Sequence, residues 1–153
     1  MGQLNPEELE AFLTRVGFGR LACLDADGYP YIVPLLVHYR DGGFYIGARE
    51  RSAWRAFLQR DGRVCLNLQD GEQRAQVKGN AELIEGPVIG ASKLESLWVE
   101  RAQRDGWLDD PGVQAYYHNI YTHEPMYGFF IRPIKITSWQ GGEWAKRYKH
   151  ADW

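Results

Sequence analysis

The amino-acid sequence predicts a mostly β fold, an antiparallel β-barrel with α-helical additions. Two observations indicate this: apolar segments of strand length recur along the chain, and tight turns rich in Asp and Gly separate them at 25–28, 40–43 and 70–71. Short strands joined by such turns, with few helices, are typical of closed or partly closed antiparallel barrels. With 153 residues and no linker or repeat, the chain is most simply one domain spanning 1–153.

The elements follow in a clear order along the chain. Asn5 is a candidate N-cap, Pro6 fits the first helical turn, and Glu8 stands at the capping-box position, so a helix begins here. Further helices are predicted at 52–60, 92–105 and 111–121 from apolar residues at helical spacing. Strands are predicted at 20–24, 29–38, 44–48, 64–68, 75–84 and 127–137, and 85–87 should end the fifth of them.

Charge and composition exclude some classes of partner. The formal net charge is -2 and the isoelectric point is near 6.1, so no overall basic field attracts nucleic acid or an anionic membrane. With no signal peptide and no long apolar span, we expect a cytoplasmic, soluble protein.

The cysteines and histidines show no metal-binding pattern. Cys23 and Cys65 both lie in apolar, strand-like segments, which favours buried reduced thiols over a disulfide. The four histidines have no metal-ligand spacing, and we expect them at the surface or hydrogen-bonded; they are His38, His118, His123 and His150.

The second predicted strand contains two prolines four residues apart, Pro30 and Pro34. Both lack an amide donor on the same lateral side, so that side cannot be an ordinary internal ladder. The strand is therefore an edge or a split in the barrel. Its open backbone, around Ile32, either binds a flat heterocycle or is an edge that proline protects from aggregation.

Two polar groups of residues are candidate ligand-binding positions. Arg49, Arg51 and Ser52 directly precede a helix, whose N-terminus carries unpaired amides and a partial positive charge. They form either a phosphate site or a solvated N-cap region. Gln76 and Lys78 lie on one face of the fifth predicted strand, which is either a solvated face or a polar wall beside a ligand.

The C-terminal segment is unusually aromatic for the end of a chain. An apolar run ends at Trp139, and aromatic and basic residues, including Arg147, alternate beyond it. Exposed aromatic side chains of this kind usually contact a partner subunit or a flat ligand.

Four segments in this order resemble the flavin-binding split barrels related to pyridoxamine 5'-phosphate oxidase. They are the first hairpin at 19–34 with its D-G-Y-P turn, the strand and helix at 42–64, V-K-G-N-A-E-L at 77–83, and I-R-P-I-K-I-T-S-W-Q-G-G-E at 131–143. The resemblance implies an antiparallel, Greek-key-like split barrel that forms a homodimer and binds FMN in two clefts at the subunit interface.

The resemblance also implies roles for individual residues. Backbone atoms of Ile32, Val33 and Pro34 would contact the isoalloxazine ring. Arg49, Arg51 and Ser52 would bind the phosphate. Trp139 and Arg147 would approach the flavin from the other subunit.

Two departures from the family pattern narrow the expected activity. Many members carry a phosphate-binding Lys in the first turn of the helix, where this chain has Trp54. The family's pyridoxamine 5'-phosphate oxidases end W-Q-G-x-x-x-R-L-H-D-R, whereas Trp139-Gln140-Gly141 is followed here by G-E-W-A-K-R-Y. We therefore expect a flavin-dependent oxidoreductase that does not act on pyridoxamine phosphate.

Alternatives remain open at the level of the sequence. The same fold also uses the deazaflavin F420, or binds flavin or haem without turnover, with His150 as a conceivable haem contact. A dimeric barrel with an empty cleft is a further alternative. If the protein is an enzyme, the chain needs no dedicated acid or base, and Tyr116 or Tyr117 would join Trp139 in a wall around a small-molecule substrate.

Overall fold

The computed structural model describes residues 3–90 and 92–141, which contain four α-helices, a 3-10 turn and seven strands. In chain order the elements are α1 (Pro6–Arg15), β1 (Phe18–Leu24), β2 (Pro30–Leu36), β3 (His38–Arg40), β4 (Gly43–Arg49), α2 (Ala53–Arg60), β5 (Arg63–Asp70), β6 (Gln73–Val88), α3 (Lys93–Asp105), the 3-10 turn (Trp107–Asp109), α4 (Pro111–Tyr121) and β7 (Met126–Gln140). None of the described helices is long and apolar enough to cross a membrane.

All seven strands form one antiparallel sheet in the order β2-β1-β5-β6-β7-β4-β3. The strands at the two ends of this order, β2 and β3, are consecutive in the chain and are separated only by Val37. A single residue cannot span a flat sheet of seven strands, so the sheet curls until its two edges meet. The predicted antiparallel split barrel is therefore confirmed.

Side chains that alternate along the strands fill the barrel interior. Leu21, Phe44, Leu66, Val77 and Phe129 are among the fully buried ones, one each from five strands. α1 and α2 close the barrel with Phe12, Leu13, Trp54 and Leu58. The helix predicted at Asn5 is confirmed, because Asn5 and Glu8 form the complete capping box.

The structure corrects the prediction of one second strand at 29–38. Its apolar run divides into β2 and β3 at Val37, whose amide donates to the Gly17 carbonyl at 3.0 Å. The Val37 carbonyl accepts from Nη1 of Arg101 at 3.1 Å, so both backbone groups bond outside the two strands. These long-range partners end β2 where the local sequence favours continuation.

The residues at 85–87 do not end the fifth predicted strand. β6 continues to Val88, and its pairing with β7 shifts register between Leu83 and Glu85 and again between Glu85 and Val88. These irregularities carry the strand past Pro87, which donates no amide to a ladder.

Outside the barrel, α3 and α4 form a second apolar cluster with the start of β7. Its buried members are Leu94, Trp98, Ala102, Ile120, Tyr121 and Met126. Arg101 joins α3 to the barrel: its guanidinium donates to the carbonyls of Arg15 at 2.6 Å, Val16 at 3.2 Å and Val37 at 3.1 Å. This contact sets the position of the helical segment beside the open edge of β2.

Candidate functional site

The open backbone edge of β2 forms one side of the candidate site. The Asp25 amide donates to the Tyr29 carbonyl, and the Val37 amide donates to the Gly17 carbonyl. The backbone N–H and C=O groups of the odd-numbered residues around β2 therefore point toward β1. Backbone groups alternate in direction along a strand. Those of the even-numbered residues therefore point away from β1, and Pro30, Ile32 and Pro34 are among them. The described sheet places no further strand on that side of β2. The prolines thus lie on an edge, as predicted.

A groove of about 190 Å³ lies between this edge, the end of β4 and the start of α2. Five of the predicted site residues line it: Val33, Pro34, Arg49, Ser52 and Trp54. α3, α4 and β7 supply the remaining wall through Leu94, Tyr116, Ile120, Tyr121 and Met126.

The two arginines of the predicted phosphate site share one carboxylate. Glu124, which follows α4, lies 3.6 Å from Nε of Arg49 and accepts from Nη2 of Arg51 at 3.2 Å. Arg49 lines the groove, whereas the Arg51 side chain is 71% exposed beside it. An anion that bound both arginines would therefore have to compete with the Glu124 carboxylate for them.

The N-terminus of α2 opens toward the same groove. Ser52 is the N-cap residue, but its hydroxyl makes no cap bond within the described part of α2. Trp54 is buried in the first helical turn and packs into the barrel core as well as lining the groove. The position where many relatives are expected to carry a Lys is therefore apolar, and the cationic charge at the groove comes from Arg49.

His38 forms part of the groove floor and was not predicted there. It is 8% exposed, so the surface alternative of the two expected for the histidines does not hold for His38. Burial, followed by the positive charges of Arg101, Arg104 and Arg40, lowers the pKa of His38 from 6.5 to about 4. The imidazole is consequently neutral at pH 7, and it adds no charge to the site.

The two candidate tyrosines of α4 have different surroundings. Tyr116 is 46% exposed and lines the groove. Tyr117 instead stacks on Trp98, with ring centroids 4.9 Å apart, and its hydroxyl donates to Glu95. Within this chain, only Tyr116 of the two lines the groove.

The other predicted site residues lie on the outer face of the sheet. Gln76 and Lys78 line a separate, open groove of about 530 Å³ together with Cys65 and Lys135. Trp139 pairs with Arg74, two positions from the Gln76–Thr137 pair, so it extends the same face. The Ile32 side chain is also on this face, opposite Ala22, and is 65% exposed. Arg147 and His150 lie outside the described residues.

Both cysteines are free thiols. Cys23 is buried in the barrel, and burial raises its thiol pKa. Cys65 is half-buried on the outer face, where Nε2 of Gln76 donates to its sulfur at 2.9 Å. Of the two thiols expected to be buried, only Cys23 is fully buried.

The residues of the Arg49 groove fit part of an FMN molecule. A guanidinium, a helix N-terminus and a hydroxyl suit the phosphate, and an unpaired strand edge offers backbone donors and acceptors to a flat heterocycle. The volume of about 190 Å³ is below the roughly 300–1,000 Å³ of typical ligand pockets. The groove within one chain is therefore smaller than a pocket that would enclose a whole ligand of this size.

The family model described as pyridoxamine 5'-phosphate oxidase matches residues 6–115, which is more than half of the chain. The chain belongs to this family. The match spans the whole of β1 to α3, and so includes Arg49, Ser52 and the open edge of β2. A search of curated proteins found no match.

Solved structures of the same fold support the family assignment. The conserved hypothetical protein Rv2991 from Mycobacterium tuberculosis is 20% identical with a TM-score of 0.71, covering 93% of this chain and 88% of its own. An FAD-binding protein from Mesorhizobium loti is 21% identical with a TM-score of 0.63, covering 90% and 95%. An F420 reductase is 16% identical with a TM-score of 0.58, covering 83% and 94%. At these identities the similarity shows the fold.

Glu124 and His38 were both missed from the sequence. Glu124 is 75 and 73 positions from the arginines that it contacts, and a carboxylate in a loop carries no local signal. His38 is in an apolar segment, and that burial signal was available from its neighbours.

Proposed function

We propose that this protein is a homodimeric FMN-binding flavoprotein that acts as an oxidoreductase on a small molecule. The observation that carries the proposal is the meeting of Pro34, Arg49 and Ser52 in one groove, at the open edge of β2 and the N-terminus of α2. Membership of the pyridoxamine 5'-phosphate oxidase family supports a flavin as the ligand. The charge of Arg49 and the unpaired amides of α2 favour its phosphate.

A two-fold dimer would explain why the predicted site residues divide between two grooves. Gln76, Lys78 and Trp139 are on the outer face, away from Arg49 of the same chain. Exposed apolar side chains accompany them there, Ile32 at 65% among others. Burial of this face against a second copy would bring its polar residues and Trp139 toward the partner's Arg49 groove, and Arg147 would follow from the tail.

In this proposal, bound FMN supplies the chemistry of hydride or electron transfer. The chain binds and orients: Arg49 and Ser52 hold the phosphate, and the backbone of β2 positions the ring edge. Trp54, Ile120 and Met126 exclude water from the groove. The neutral His38 leaves the groove floor without charge, and no described side chain is assigned the role of a catalytic acid or base.

Pyridoxamine 5'-phosphate is not the proposed substrate. The C-terminal Arg and His that the family's oxidases place after W-Q-G have no counterparts at matching positions of this sequence.

The visible spectrum of the purified protein tests the proposal. We expect flavin absorption bands, or tight uptake of added FMN by protein from which the cofactor was removed. Arg49→Ala should weaken FMN binding about tenfold or more, because it removes the charge nearest the phosphate. Protein that neither retains nor binds FMN would overturn the proposal.

F420 is the alternative cofactor, and the similar F420 reductase and the apolar Trp54 favour testing it. F420 carries its own phosphate and a longer acidic tail, so parallel titrations distinguish the two. We expect FMN to bind more tightly than F420. Tighter binding of F420 than of FMN would indicate that the same groove holds F420 as its cofactor.

Haem binding is the third outcome that titration distinguishes. Addition of haem should then produce a sharp Soret band that depends on a specific ligand such as His150. We expect no stoichiometric band of this kind.

A further inference from the structure

A second groove, of about 550 Å³, lies on the other side of the β2 edge from the Arg49 groove. It runs between β2, the start of β1 and the α3–α4 segment. Its lining is mainly apolar and aromatic: Phe18, Pro34, Leu35, Leu36, Trp98, Trp107, Asp110, Gly112, Val113 and Tyr116. We name it the aromatic groove. Its volume is within the range of roughly 300–1,000 Å³ that is usual for small-molecule pockets.

The charges around the aromatic groove disfavour an anionic ligand. Asp110 is the one charged residue among its described lining residues. Its Oδ1 accepts from the Val113 amide at 3.0 Å as the N-cap of α4, so this carboxylate is already used by the protein. No described cationic side chain lines the groove, in contrast to Arg49 in its neighbour. A phosphate or carboxylate would therefore lose its hydration without gaining a partner.

Two of the four aromatic side chains of the groove, Trp98 and Trp107, pack against other residues of the chain. Trp98 is 2% exposed and stacks on Tyr117, and the Arg101 guanidinium lies 6.0 Å from the Trp107 ring centroid. Arg101 is itself anchored by three backbone carbonyls. Rigid aromatic walls favour a flat aromatic ligand, because stacking needs little further ordering.

The aromatic groove adjoins the Arg49 groove. Pro34, Leu35, Leu36 and Tyr116 line both. Transfer between a cofactor and a substrate requires direct contact of the reacting atoms. A flavin ring that extends from the Arg49 groove past these shared residues would contact a ligand of the aromatic groove directly.

We propose that the aromatic groove binds the substrate, and that the substrate is an uncharged, planar aromatic molecule. The proposal rests on the proposed function, in which the Arg49 groove holds the flavin phosphate. It adds the substrate class and its position between β2 and the α3–α4 segment.

Calorimetric titration with three matched probes tests the substrate class. The probes are 2-naphthol, which is neutral at pH 7, 2-naphthoate, which is anionic, and 2-naphthylmethylammonium, which is cationic. We expect 2-naphthol to bind about tenfold or more tightly than 2-naphthoate. Tighter binding of 2-naphthoate would overturn the proposal, and tighter binding of the cation would reassign the groove to ammonium ligands held by Asp110.

Two variants locate the binding site. Val113→Trp fills the groove and should weaken 2-naphthol binding about tenfold. Phe18→Ala removes one aromatic wall of the groove, a side chain that is 62% exposed, and should weaken 2-naphthol binding about threefold. The matched control is Ala115→Trp, which adds the same side chain to an exposed position of α4 outside the groove. Phe18 is 62% exposed in one chain, so its variant tests the site even if Val113→Trp does not fold. Because Phe18 is on the same face of the sheet as Ile32, light scattering checks that the variant keeps the molecular mass of the wild type. Unchanged affinity in Phe18→Ala would overturn the assignment.

Flavin content is measured in the same samples, by absorption, and separates the two proposals. Flavin-loaded protein that does not bind 2-naphthol overturns the substrate inference and leaves the proposed function standing. Binding of 2-naphthol that depends on Phe18, in protein that takes up no FMN, sustains the groove as a ligand site while the proposed function fails.

Discussion

At the scale of single residues, Glu124 governs the charge of the candidate cofactor groove. Its carboxylate contacts Arg49 and Arg51 together, and its own side chain is only 29% exposed. The groove therefore already contains an anion, the Glu124 carboxylate. The positive charge available to a bound phosphate depends on how readily the phosphate displaces that carboxylate.

Replacement of Glu124 by Gln should tighten FMN binding. The amide keeps the size of the side chain but removes the charge that competes with the phosphate. Because exposed ion pairs contribute roughly 1 kcal/mol or less, we expect a gain of about threefold to fivefold in affinity, measured by fluorescence titration.

Asp70→Asn is the control. Asp70 pairs with Arg15 at 2.6 Å, neither residue lines the Arg49 groove or the groove beside Gln76 and Lys78, and its replacement should leave FMN affinity unchanged. Weaker binding in Glu124→Gln would show that this carboxylate orients the arginines instead of competing with the ligand.

His38 predicts a pH dependence of folding stability. Its pKa is lowered from 6.5 to about 4 by burial and by nearby arginines, with Glu100 acting weakly in the opposite direction. Below pH 6.5 the unfolded chain therefore binds a proton that the folded chain does not, and stability is lost as the pH falls from 6.5 toward 4. Between pH 7.5 and 5 this loss amounts to about 2 kcal/mol.

Urea unfolding of the wild type and His38→Gln at these two pH values measures the effect. The variant should lose about 2 kcal/mol less than the wild type on acidification, because Gln does not titrate. Equal losses in both proteins would mean that the folded structure accommodates a charged imidazole at this position.

At the scale of elements, Arg101 connects α3 to two separate parts of the barrel. Its side chain is 6% exposed, and its donors reach the end of α1 and the junction of β2 and β3. A Cβ atom at Gly17 would lie 2.6 Å from Cζ of Arg101, so only glycine leaves room for this guanidinium. Gly17 and Arg101 therefore act as a pair.

Replacement of Arg101 by Met should lower the free energy of unfolding by about 3 kcal/mol or more. The variant leaves two buried carbonyls and one partly buried carbonyl without this donor, and Asp105 without its buried partner. Denaturant unfolding provides the measurement, and hydrogen exchange should show faster exchange in α3.

Arg104→Met is the control on the same helix. The Arg104 side chain is 46% exposed, so its loss should cost about 1 kcal/mol or less. If both variants were equally stable, the carbonyl contacts of Arg101 would contribute nothing beyond a surface ion pair.

At the scale of the whole molecule, the exposed outer face of the barrel is where we place the second subunit. Replacement of Ile32 by Asp puts a charge in this proposed interface, on a side chain that is 65% exposed in one chain. Because an unpaired charge buried in an interface is costly, we expect the dimer to dissociate, with a concurrent loss of FMN binding. Light scattering coupled to size-exclusion chromatography measures the molecular mass.

Ile89→Asp controls for the effect of any surface charge. Ile89 is 56% exposed in the segment between β6 and α3, outside the strands of the sheet, and its variant should remain dimeric. A wild-type protein that is monomeric at all concentrations would contradict the proposed dimer directly.

The sequence predicted the parts of this molecule that depend on local patterns. Apolar segments between Asp- and Gly-rich turns located the strands, Asn5 and Glu8 located α1, and Pro30 with Pro34 identified an edge. The break at Val37 was not predicted because it depends on the bond from Arg101, 64 positions away, to the Val37 carbonyl. Arg49, Ser52 and Pro34 were predicted separately, and barrel closure places them in one groove. The pairing of both arginines with Glu124 depends on the position of the chain after α4, which no local pattern encodes.

The single residue between β2 and β3 also limits how this chain can change in length. Side chains alternate in and out along both strands, so one inserted residue beside Val37 would exchange the inner and outer faces of whichever strand it shifted. His38 would then turn away from the groove, and Ile32 or its neighbours would change places with the barrel interior. Hairpin turns such as 25–29 tolerate insertions, because their ends are already paired. We therefore expect relatives to vary in length at the hairpins and to keep the spacing between Pro34 and His38 constant.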